Sequence, residues 1–183
     1  MPANKIMLVR HAEKPEGKDA GVSADGKQND EELIVRGWQR SGGLVRLFAP
    51  RNGTFVDSHL AQPRIIFASG VAKHSDSLRP QHTVLELATV LGLTLQTKYL
   101  KGDEADLAKA AVNATGPVLI AWEHEAIPAI VNAIVGNDKT CPQKWQGSRF
   151  DLVWVLDGKP GGGWSFSQVP QLLLSGDSDK PIT

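Results

Sequence analysis

The sequence predicts an α/β three-layer sandwich, a mainly parallel central sheet flanked by helices with an antiparallel hairpin at its C-terminal edge. Three observations lead there. Short apolar runs recur at Ile6-Met7-Leu8-Val9, Ile65-Ile66-Phe67-Ala68 and Val118-Leu119-Ile120-Ala121-Trp122 without polar alternation, the pattern of strands covered on both faces. Helical stripes lie between these runs. Near the end, the stretches Phe150 to Leu156 and Trp164 to Val169 flank a glycine-rich turn, Asp157 to Gly163, which is a hairpin pattern.

Taken in order, the first strand covers 6–9 and is followed by a polar stretch, about 12–32, marked by Gly17, Gly21 and Gly26 and lacking any period. Aperiodic loops of that length are uncommon in compact domains and often functional, so this one is a candidate substrate cover. A helix is predicted near 36–49 from Trp38, Leu44, Val45, Leu47 and Phe48, weakened by Gly42-Gly43. After the second strand, Pro80 suits a first helical turn, Val84, Leu87, Ala88 and Leu91 form a stripe, and Gly92 stops a helix over 80–91. Asp103 is a predicted cap for a helix over 103–113 with acidic residues in its first turn. A further helix, about 126–135, carries Ile127, Ile130, Val131 and Ile134 on one face. No internal repeat or linker divides the chain, which predicts one domain over 1–174 and a solvated tail over 175–183.

The 183 residues suit one domain, and 20 Lys+Arg against 20 Asp+Glu give a formal net charge of zero. That balance argues against bulk attraction to nucleic acid or an anionic membrane. Cys141 is the one cysteine, which excludes an intrachain disulfide and reads as a structural or surface thiol. There is neither a signal-peptide pattern nor an apolar run long enough to span a bilayer. The expectation is a soluble, cytoplasmic protein.

Each apolar run ends in residues suited to chemistry: Arg10-His11 after the first, Ser69 after the second, Glu123-His124 after the third. In open α/β sheets the carboxyl ends of the strands share one crevice, so these residues are expected to converge although they are far apart in the chain. Arg79, just before Pro80, sits at the mouth of the second helix, where free N–H groups and the helix dipole favour an anion. Two arginines and two histidines at one edge form an anion-handling set, and phosphate is the anion expected. Singly, each is a common surface or structural feature. Their joint placement at strand ends carries the reading. His59 and His82 lack it and read as structural or surface, while His74 borders the crevice and is left open. Local metal-ligand spacings are absent and two arginines would repel a divalent cation, so neither metal nor cofactor is expected. Lys14 and Arg36 fall near the expected rim; as solvated charges they need no role, and as rim residues they would read a second anionic group.

The stretch Leu8-Val9-Arg10-His11-Ala12-Glu13-Lys14 resembles the N-terminal signature of the histidine phosphatase superfamily, also called phosphoglycerate-mutase-like. Ser75-x-x-x-Arg79-x-x-x-Thr83 is similar to that family's second motif, and Trp122-Glu123-His124 to its late histidine motif. The resemblance spans roughly 5–156, with Ala12 standing where the family usually has Gly and a longer loop between Ser69 and Ser75. It implies a metal-independent phosphatase in which His11 is phosphorylated and Arg10, Arg79 and His124 complete the phosphate pocket. It also points to Glu125 as the first candidate for the proton-transferring carboxyl, with Glu13, Glu123 and Asp103 as alternatives. The implied substrate is a phosphorylated small molecule or phosphoprotein, as a monoester or phosphoramidate. A phosphomutase on the same core and a non-catalytic phosphate-binding module are the competing readings. The physiological substrate and oligomeric state are not legible.

Overall fold

The computed structural model describes residues 3–73 and 75–183. Along them run β1 (Lys5–Arg10), α1 (Val35–Phe48), β2 (Ile65–Ala68), α2 (Arg79–Leu91), α3 (Glu104–Asn113), β3 (Val118–Trp122), α4 (Ile127–Val135), β4 (Leu152–Gly158) and β5 (Trp164–Pro170). The sheet order is β2-β3-β1-β4-β5. β3 lies parallel to both β1 and β2, whereas β4 is antiparallel to β1 and β5. The expected parallel core and C-terminal hairpin are therefore present, with β4 inside the sheet and β5 at its edge.

The uniformly apolar strands follow from burial on both faces. Ile6 and Leu8 of β1, with Ile120 and Trp122 of β3, meet Leu107 and Ala111 of α3 and Ile127, Ile130 and Val131 of α4. Met7 and Val9, with Leu119 and Ala121, face Leu44, Leu47 and Phe48 of α1 and Val84 and Leu87 of α2. Neither sheet face is left to water, so no polar alternation survives. β5 has one neighbour and reads half-buried along most of its length.

The helices begin and end where local chemistry directs them. Pro80 occupies the first turn of α2, and Gly92 closes it at φ +64°, with its N–H returned to the carbonyls of Ala88 and Thr89. α1 tolerates Gly42-Gly43 because a Cβ at Gly43 would stand 3.1 Å from Leu173. The missing side chain lets the C-terminal segment lie against the helix. Asp103 departs from expectation: it precedes α3 but makes no capping bond to it, and its carboxylate instead accepts the N–H of Leu100 at 2.9 Å.

The stretch 175–183, expected to be a solvated tail, is largely exposed yet anchored to the rest of the chain. Arg40, buried in α1, donates to Asp177 at 2.8 Å, and Asp151 accepts the N–H of Ser178 at 2.6 Å. Gln168 and Ile182 exchange bonds of 2.8 and 3.1 Å, and the Ile182 side chain enters the core on the α3/α4 face. One buried carboxylate and one apolar residue thus anchor an otherwise polar sequence. Among the described residues no helix is long and apolar enough to cross a membrane.

Candidate active site

Parallel pairing brings the ends of β1, β2 and β3 to one edge. At β1 the pairing extends one residue past the strand, because the His11 N–H donates to the carbonyl of Trp122 at 2.9 Å. This places the His11 backbone. Its ring is oriented by Nδ1, 2.8 Å from the Ala12 carbonyl; a carbonyl only accepts, so the proton is on Nδ1 and Nε2 keeps its lone pair. The Ala12 N–H donates to Thr83 Oγ1 at 2.7 Å, and that hydroxyl donates to the Arg79 carbonyl at 2.7 Å. The turn after β1 is thereby tied to the first turn of α2. On its other side α1 approaches so closely that a Cβ on Gly37 would lie 2.6 Å from the Glu13 carbonyl.

Electrostatics keep the His11 ring neutral. Burial, opposed by the Ala12 bond and aided by the positive charges of Arg10 and Arg79, pushes its pKa down to about 3. His124, two residues past β3, is pushed down to about 4, by burial first and then by Arg10, with Glu125 acting in the opposite direction. At neutral pH His11 offers the Nε2 lone pair, its N–H being taken by Ala12, and neutral His124 carries a lone pair and one N–H.

Arg10 is 1% exposed, yet it is only partly satisfied. Its Nη1 donates to the carbonyls of Gly147 and Arg149 at 2.5 and 3.2 Å, and its Cζ lies 3.7 Å over the Phe150 ring. Burial lowers its pKa to about 10, which leaves it charged at neutral pH. Nε and Nη2 are buried with no partner among the described residues, as is Nε of Arg79. Each unpaired buried donor costs about 1–3 kcal/mol, more when charged, so these three donors on two arginines favour an anionic ligand. Arg79 Nη1 donates to the Asp30 carbonyl at 2.8 Å and lies 3.8 Å from Glu31.

His11, Arg79, His124 and Glu125 open on a cleft of about 330 Å³, with Lys14 at its rim as the sequence suggests. Lys101, Glu31 and Asp76 also line it, and sequence reasoning missed all three because none stands at a strand end. Lys101 Nζ is 3.0 Å from Glu123 and 3.8 Å from the exposed Glu125.

Several expected residues lie elsewhere. Glu13 is buried against Arg40 at 2.8 Å and Arg36 at 3.2 Å, beside the turn after β1, so it is not a proton donor facing the cleft. Arg36 turns from the rim to the Ser175 carbonyl at 2.7 Å. Asp103 borders a separate depression with Lys98 and Tyr99. Ser69 is buried, its carbonyl accepting from Gln81 at 3.1 Å, and the later serines Ser75 and Ser77 reach the cleft instead. His59 pairs with Asp157 and His82 with Glu32. Cys141 is buried near α4, and burial raises its thiol. His74 falls outside the described residues. Among the described residues, no group of three His, Cys, Asp or Glu side chains is arranged to hold a metal ion.

Neither a sequence-family model nor a curated protein sequence matches the chain. Solved structures do. A phosphoserine phosphatase from Entamoeba histolytica in complex with phosphoserine is 13% identical, with a TM-score of 0.56 over 93% of this chain and 98% of its own. A mycobacterial glucosyl-3-phosphoglycerate phosphatase is 12% identical, with a TM-score of 0.52 over 91% and 97%. The protein histidine phosphatase SixA, complexed with tungstate, is 13% identical, also with a TM-score of 0.52 over 91% and 97%. The likeness covers nearly the whole of each chain, and the fold is shared with these three phosphatases.

Proposed function

We propose that the protein is a metal-independent phosphatase that hydrolyses a phosphate monoester or phosphoramidate through a phosphohistidine on His11. The observation that carries this reading is the pairing of a neutral His11, its Nε2 lone pair free, with three buried guanidinium donors on Arg10 and Arg79 that have no partner among the described residues. Phosphoryl transfer is catalysed mainly by positioning and by stabilising charge on the equatorial oxygens. Arg10, Arg79 and an N–H of His124 supply that stabilisation. His11 Nε2 forms the P–N bond as the bond to the leaving atom breaks, and the leaving atom takes a proton from Glu125. A water then attacks phosphorus, returns a proton to Glu125 and releases His11 with inorganic phosphate. The similarity in fold to phosphatases acting on phosphoserine and glucosyl-3-phosphoglycerate supports a phosphorylated substrate without selecting one.

The test is rapid-quench labelling with a radiolabelled aryl phosphate, whose leaving group needs little protonation. Acid-labile, alkali-stable label on the wild type and none on His11→Ala is the expected result. Label that persists in His11→Ala would overturn the mechanism; binding of phosphate without turnover would point to a non-catalytic module.

A further inference from the structure

Arg79 does not set its own orientation. One of its terminal nitrogens is held by the Asp30 carbonyl at 2.8 Å, and the Leu78 N–H, just before it, donates to the Glu31 carbonyl at 3.2 Å. Both acceptors belong to one tight turn in the long loop after β1. Within that turn Asn29 accepts from the backbone of Glu31 and Glu32 at 3.0 Å, through its side chain and its carbonyl respectively. The position of this turn therefore decides where the Arg79 guanidinium points.

Two side-chain contacts join the turn to α2: the 3.8 Å approach of Glu31 to Arg79 Nη1 and a closer one made by Glu32. Glu32 is buried, and its Oε2 lies 2.5 Å from Nδ1 of His82. His82 follows Arg79 by three positions, so the two share a helix face. The imidazole is itself held: its ring centroid is 5.3 Å from that of Trp38, Trp38 Nε1 donates to the Val22 carbonyl at 2.8 Å, and Ser41 donates to the His82 carbonyl at 2.8 Å. A carboxylate only accepts, so His82 donates from Nδ1. A buried carboxylate with a charge-assisted bond to a braced ring is a stiff link. The turn's other ties near the start of α2 are the Glu31 approach and the two carbonyl contacts described above.

We propose that Glu32 and His82 form a latch that positions Arg79 for anion binding, a role that rests on Arg79 belonging to the phosphate site proposed above. Glu32 and His82 are positioning residues: neither is among the residues that line the cleft. Opening the latch frees the 29–32 turn, removes the Asp30 carbonyl from Arg79 and lets the guanidinium swing, and misplacement on the scale of an ångström is enough to weaken a site of this kind strongly.

The experiment measures the inhibition constant of inorganic phosphate and the KM and kcat for an aryl phosphate in Glu32→Ala, Glu32→Gln, Arg79→Ala and the Glu32→Ala/Arg79→Ala double variant, with thermal melts to confirm folding. The latch requires phosphate binding to weaken about tenfold in Glu32→Ala, with most of the wild-type affinity kept in Glu32→Gln, whose amide oxygen still accepts from His82. In the Arg79→Ala background the Glu32 substitution must cost nothing further, because coupled residues are non-additive. Phosphate binding unchanged in folded Glu32→Ala, or an equal loss with and without Arg79, overturns the latch alone. If Arg79→Ala binds phosphate as the wild type does, the assignment of Arg79 to the phosphate site falls and the latch with it.

Discussion

The two ends of the parallel strands differ in a way that separates size from chemistry. The amino end carries the larger hollow, about 1190 Å³, lined by Val112, Pro117, Lys159 and Trp164 among others. The carboxyl end has a cleft of about 330 Å³ lined mostly by charged and polar groups. Near the amino end Lys5 bonds Asp157 and His59 lies 3.1 Å from the other oxygen of that carboxylate, while the charged residues that line the hollow, Arg64 and Lys159, are exposed to water. At the carboxyl end Nε and Nη2 of Arg10 and Nε of Arg79 have no partner among the described residues, and two imidazoles are held neutral. A hollow lined by apolar groups is no more than space, whereas buried donors without acceptors store a demand for an anion.

The sharpest way to break this contrast is to remove the proposed nucleophile. His11→Ala is expected to lower kcat for an aryl phosphate by about 10⁴-fold or more, as loss of a covalent nucleophile generally does. Next in size is the charge network beneath the same edge. Burial opposes the charge on Arg40, but Asp177 and Glu13 more than compensate and raise its pKa, while Arg40 in turn lowers that of Asp177. Asp177→Ala removes one of two carboxylates from a buried guanidinium, and urea unfolding should register a loss of about 3 kcal/mol. A loss within error would mean that Glu13 and Gln171 together satisfy Arg40.

A smaller effect follows from His11 itself. Its pKa is about 3 in the folded chain and 6.5 ordinarily. Between these values the unfolded chain binds the proton and the folded chain does not, so stability falls as pH drops below about 6.5 and the loss levels off near pH 3. The slope from this one group is about 1.4 kcal/mol per pH unit. Urea midpoints taken from pH 7 to 4.5 should fall less steeply in His11→Asn than in the wild type. Identical slopes would show that the ring is not buried neutral.

The elements were legible because their signals are local. Both faces of β1 and β3 are covered, so their apolar runs survive unmixed, and Pro80 and Gly92 mark the ends of α2 through their own backbone geometry. The edge to which Arg10, His11, Arg79 and His124 come followed from parallel strand order. What stayed hidden depends on pairs remote in sequence: Glu13 with Arg40, 27 positions apart, and Arg40 with Asp177, 137 apart. A glutamate two residues past His11 reads as chemistry until a buried arginine is seen against it. Phe150 read as the start of a strand, yet it lies outside β4 and supports the Arg10 guanidinium; no periodicity signals a ring placed under a charge.

The smallest effect is expected at the amino end, and it tests the contrast from its other side. Thr115 is exposed and lines the large hollow, so Thr115→Trp would occupy part of that space without touching either core. β1 spans six residues, about 20 Å at the usual rise per residue, and substitutions more than about 10 Å apart with no shared partner act independently. Turnover of an aryl phosphate by Thr115→Trp should therefore stay within about twofold of the wild type. A tenfold change in kcat/KM with an unaltered melting temperature would mean that the sheet transmits strain from one end to the other, and the two ends would have to be treated as one coupled site.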